Sequence, residues 1–153
     1  MKIIPIIFAS ILLIGSARAR IHENFQECVT RYGNAIKELP SKAPAEKTVL
    51  FQKGGYDVVA YFIKDRVEQL IIRHSDGSDF EYEAITSLVN ANAETSKFGP
   101  ATKGDKKNFS FTREDKRVVA TWVDSERLIL IESSEFRSAG KALKDKKEST
   151  DGF

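Results

Sequence analysis

Residues 47–74 read KTVLFQKGGYDVVAYFIKDRVEQLIIRH. Three runs rich in β-branched and aromatic residues, 47–53, 56–63 and 66–74, are separated by Gly54-Gly55 and Lys64-Asp65. Two-residue breaks between such runs are hairpin signals, so the stretch predicts an antiparallel meander. Alternate side chains of a strand face opposite sides of the sheet. The middle run therefore puts Val58, Ala60 and Phe62 on one face, expected under helices, and Asp57, Val59, Tyr61 and Ile63 on the other. That second face is too apolar to be fully wetted, which predicts partial cover or a partner.

Toward the N-terminus, residues 23–33 place Phe25, Cys28, Val29 and Tyr32 at i, i+3, i+4 and i+7. This is the stripe of a short amphipathic helix, with acids at its start and Gly33 where helices stop. Toward the C-terminus, Ser78-Asp79-Phe80-Glu81 has the capping-box pattern and predicts a second helix with the inward stripe Ile85, Leu88 and Val89. Three further strand-like runs follow at 108–113, 117–123 and 127–133. The third run of each set is apolar on both faces at its middle, which predicts a position inside a sheet.

A constant offset of 60 lays residues 23–63 on 83–123, and nine of the 41 positions are identical, among them Val58/Val118, Val59/Val119 and Ala60/Ala120. Average residue usage gives roughly 6%, so the excess predicts a tandem repeat. The expected fold is α+β: an α-β-β-β unit twice, halves about 23–75 and 78–134, antiparallel meander sheet or sheets, helices on one face. Residues 20–136 form the expected single domain. From residue 137 the composition turns to Ser, Ala, Gly, Lys, Asp and Glu, which predicts a polar, frayed or disordered tail over 137–153, with helix near Lys141–Lys147 as the alternative.

Residues 1–19 combine Lys2, an apolar run of about a dozen residues and Ala17-Arg18-Ala19. They read as a signal peptide cleaved after Ala19, with the run too short to span a bilayer. A secreted or periplasmic bacterial protein is expected, with no transmembrane segment after cleavage. Cleavage removes Lys2 and Arg18, leaving 22 basic and 22 acidic residues. A neutral mature chain gives no reason to expect nucleic acid as a partner.

Signatures of a hydrolase nucleophile, a zinc protease helix, a phosphate loop and a Cys-x-x-Cys pair are absent from the sequence. The single cysteine, Cys28, lies on the inward helix stripe and is expected to be a buried, inert thiol. His22 and His74 have no regular ligand spacing. No catalytic residue, metal ligand or cofactor is predicted. The candidates for binding are Tyr61 on the non-helical face, with Tyr56 and Arg73 near it, because binding surfaces favour aromatics and arginine.

The run Glu23-Asn24-Phe25-Gln26-Glu27-Cys28-Val29-Thr30-Arg31-Tyr32-Gly33, directly after the leader, resembles a group of uncharacterised secreted bacterial proteins whose first helix ends in Arg-Tyr-Gly. The doubled helix-plus-meander architecture more faintly resembles the beta-lactamase inhibitory protein family and related small outer-membrane lipoprotein domains. That resemblance implies protein binding on a concave sheet surface and carries no functional residue across. The apolar second face and the absence of catalytic signatures give the expected function, a non-enzymatic exported domain that binds a protein or envelope component through a sheet face; a homodimer pairing sheet faces or exposed edge strands is a third reading. The alternative is a small-ligand carrier or an enzyme of unrecognised type, with a pocket between helices and sheet.

Overall fold

The computed structural model describes residues 20–105 and 107–150. The leader read at 1–19 and the last three residues of the expected tail lie outside the described residues. The elements run α1 (Phe25–Tyr32), β1 (Lys37–Leu39), β2 (Lys47–Lys53), β3 (Tyr56–Ile63), β4 (Arg66–His74), α2 (Tyr82–Asn90), β5 (Thr102–Lys103), β6 (Phe109–Thr112), β7 (Val118–Val123), β8 (Leu128–Ser133) and α3 (Ser134–Thr150). All the strands join one antiparallel sheet in the order β1-β2-β3-β4-β8-β7-β6-β5. The class is α+β, and the two meanders meet as neighbours, β4 against β8. The two strands predicted to be interior are thus central.

The turn between β2 and β3 is made by Gly54 and Gly55 at φ +60° and +84°. Both central residues of this tight hairpin sit in the left-handed region, where glycine escapes the Cβ clash. The α1 start is fixed by a capping box: Asn24 Oδ1 accepts from Glu27 N at 2.9 Å, and Glu27 Oε2 accepts from Asn24 N at 2.7 Å. Phe25 and Tyr32 then meet Phe51 and Phe62 with ring centroids 5.3–6.2 Å apart. Burial of each such ring contributes about 1.5–3 kcal/mol.

The helix-side face is the one alternation predicted: Val58, Ala60, Phe62, Val118, Ala120 and Trp122 are at most 5% exposed. The α2 start departs from the prediction. Helix begins at Tyr82, and Glu81 stands at its N-cap without a side-chain bond. The Ser78 box does not form because Phe80 is drawn into the core, stacked on Tyr56 at 5.7 Å and edge-on to Trp122 at 5.8 Å. An extended segment lets Phe80 reach that site.

Three more differences follow from edges and ends. β1 and β5, with three and two residues, are edge strands in segments outside the six strand-like runs of the sequence. The gapless offset does not hold in register: Phe51 pairs with Val58, but Phe111 pairs with Ala120, two residues beyond the counterpart. The cause is the turn after β6, which spans residues 113–117 where β2 and β3 have only the two glycines. Finally, the stretch expected as a disordered tail is helical to Thr150. Ser133 Oγ accepts from Phe136 N at 3.0 Å, and Phe136 packs its ring against Tyr61. This cap and anchor lie before residue 137, upstream of the polar composition. α3 lies on the face opposite α1 and α2, so cover is not confined to one side. Among the described residues no helix is long and apolar enough to cross a membrane.

Candidate functional site

The three residues singled out from sequence do not converge. Tyr61 lies half-buried on the face opposite α1 and α2, its ring 6.2 Å from Phe136 of α3 at 67°; burial pushes its hydroxyl pKa up. Tyr56 points to the opposite, helix-covered side, between His74 at 4.8 Å and Phe80. Arg73 shares the Tyr61 side, but Asp57 pairs with Arg73 and Tyr61 with Gln69. Four residues of strand separate them, about 13 Å at 3.3 Å per residue.

Around Tyr61 the face opposite α1 and α2 is built by β3, β4, β8 and β7. Val59, Ile71, Leu130 and Val119 lie across its middle, all half-buried. Polar pairs flank them: Gln69 Nε2 donates to Glu132 Oε1 at 2.6 Å, and the Ser110 and Thr121 hydroxyls are 2.9 Å apart. The result is an apolar band with a polar border, α3 covering part of it.

β4 and β8 pair only from Gln69 to Ile72 and from Ile129 to Glu132. Each end of that seam carries a cluster of charged groups. At one end Asp57, Arg73, His74, Ser75, Glu126 and Arg127 border a hollow of about 380 Å³. Asp57 accepts from Ser75 Oγ at 2.7 Å and Gln52 Nε2 at 2.8 Å, with Arg73 Nε at 3.4 Å. The Ser75 bond first, then Gln52 and Arg73, hold its carboxyl below the usual aspartate range. Asp57 is thereby fully partnered, and this end reads as a structural knot.

The other end is different. Tyr61 pairs with Gln69 and Phe62 with Val67, so Glu68 is the extra residue of a β-bulge. A bulge re-aims a side chain, and here the Glu68 carboxylate is buried, with Oε2 lacking a hydrogen-bond partner among the described residues. Desolvation pushes its pKa up, opposed by the Ser133 hydroxyl and His22. His22 Nε2 is 3.8 Å from Glu68 Oε2, and His22 Nδ1 is 3.7 Å from Glu94 Oε1. Glu135, at the start of α3, completes the group.

Sequence reasoning missed this cluster because His22, Glu68, Glu94 and Glu135 come from four separate segments. One signal was present: Val67, Leu70 and Ile72 break the strict two-residue alternation, which marks a bulge at Glu68. Cys28 is buried, and burial, with Glu23 adding to it, raises its thiol pKa to about 12. Such a thiol is no nucleophile at neutral pH.

No family model matches the chain, and none of the curated proteins compared with it matches. Among solved structures, a cysteine-rich secretory protein from Staphylococcus aureus is similar with a TM-score of 0.43 and 9% identity, over 75% of this chain and 44% of that one. The chain thus spans less than half the length of that neighbour.

Proposed function

We propose that the protein is an exported, non-enzymatic binding domain that receives a protein partner on the sheet face opposite α1 and α2. The observation that carries this reading is the half-buried band Val59, Ile71, Leu130 and Val119, bordered by polar pairs and only partly covered by α3. An apolar centre with a polar rim is the anatomy of a protein interface. The space between helices and sheet is filled by Phe51, Phe62, Phe80 and Trp122, which favours a surface over an internal ligand pocket. Export to the periplasm or medium rests on residues 1–19. The helix-then-four-strands order occurs twice, with Leu70 opposite Ile131 at the seam, and supports descent from a duplicated unit despite the shifted register. The two halves then supply one continuous face.

A photo-crosslinking residue placed at Thr121, in cells exporting the protein, tests the reading. One discrete adduct with a foreign protein is expected, lost on Leu130→Glu and kept on Gln26→Ala, which lies on α1. No adduct, or one indifferent to Leu130→Glu, removes the face as the binding surface. An adduct of twice the chain's own mass replaces the foreign partner by a second copy.

A further inference from the structure

We propose that His22, Glu68 and Glu135 form a binding site for a divalent transition cation of the zinc type, at the bulged end of the β4–β8 seam. One donor atom from each residue lies within 4.8 Å of the others. Atoms sharing one cation at roughly 2.0–2.2 Å stand about 3–3.6 Å apart. Closing the difference requires His22, about one-third exposed, and the exposed Glu135 to turn inward, and Glu135 Oε2 to give up the bond it accepts from Ser134 Oγ at 3.0 Å.

The second observation is the orphaned oxygen. Glu68 is 7% exposed, and its Oε2 lacks a hydrogen-bond donor among the described residues. A buried carboxylate oxygen left unmatched is costly, and this one faces His22 Nε2. A bound cation supplies the missing partner. Two carboxylates and one neutral imidazole also match a double positive charge.

The surroundings hold His22 as an outer shell holds a ligand. Glu94 stands by Nδ1, leaving Nε2 directed at Glu68, and a metal-bound histidine commonly gives its other nitrogen to a carboxylate. Glu94 is fixed in turn by Arg113, 3% exposed, at 3.0 Å. The backbone is clamped on both sides: Ile21 N donates to Asn92 Oδ1 at 3.0 Å and His22 N to Val67 O at 2.7 Å. His22 itself sits at φ +71°, a left-handed conformation that a non-glycine residue keeps only where contacts impose it. The donor set decides the class of ion. Calcium and magnesium prefer cages of oxygen, whereas one imidazole, two carboxylates and an open fourth position suit zinc and its neighbours.

The test is calorimetric titration of the purified full chain with zinc chloride alone, alongside thermal melting. One-to-one uptake with a raised melting temperature is expected. Glu68→Gln, Glu135→Gln and His22→Asn should each weaken uptake at least tenfold, the last chosen because asparagine tolerates the left-handed backbone. Glu94→Gln should weaken it about tenfold through the outer shell, and Glu38→Gln in β1 should leave it unchanged. No uptake by the unsubstituted protein, or equal uptake by Glu135→Gln, overturns the proposal. Glu135 is exposed, so that variant remains decisive even if Glu68→Gln fails to fold.

Discussion

Single side chains in this protein are either satisfied or conspicuously not. The Tyr32 hydroxyl is buried with no hydrogen-bond partner among the described residues, and burial pushes its pKa well up. An unmatched buried hydroxyl costs about 1–3 kcal/mol, so Tyr32→Phe should raise the urea midpoint, by about 1 kcal/mol in stability. A lower midpoint would mean that the hydroxyl has a partner. Asp57 is the opposite case, bonded to Ser75 and Gln52. Its pKa is lowered by folding. The stability it contributes is therefore full above the ordinary aspartate value near 3.9 and is lost as pH falls through the lower folded value. Ser75→Ala should cost about 1 kcal/mol at pH 7, and the penalty should shrink at pH 2–3. A penalty independent of pH would sever Ser75 from the Asp57 charge. Both environments were hidden from sequence, because each depends on residues brought in from other strands.

Among the elements, those with a complete local code were legible. β2 and β3 carry their own turns and alternation, β4 its β-branched run and turn, and α1 carries its stripe and its stop at Gly33. Elements held by a neighbour were not. β1 and β5 are too short and polar to announce themselves and exist because β2 and β6 offer them a ladder. α3 owes its place to Phe136 on Tyr61 rather than to its polar composition. Phe136→Ala should cost roughly 1–2 kcal/mol, as expected for a partly buried ring. It should also speed amide exchange in α3 while leaving β4 and β8 protected. Unchanged exchange in α3 would mean that contacts other than Phe136 hold the helix on the sheet.

In the whole molecule, the two meanders become one sheet by pairing β4 with β8, and the consequential features lie on that seam. Leu70 faces Ile131 at its centre, Arg73 and Arg127 lie near one end, and Glu68 lies near the other. The candidate sites divide the same way. Tyr61 could be assigned to the face opposite α1 and α2 from alternation alone, since phase along a strand is a local property, but its cover by Phe136 could not. The convergence of His22, Glu68, Glu94 and Glu135 could not be read, because residues far apart in sequence meet only after the sheet closes. By itself the sequence determined what period and turn chemistry encode: the α+β class, six of the strands, the inward face of the sheet and the burial of Cys28. The tertiary structure alone decided which strands became neighbours, where α3 lies and which buried polar atoms, among them Glu68 Oε2, were left without a hydrogen bond. Those outcomes depend on edge pairing and burial, which are properties of surfaces in contact rather than of any one segment.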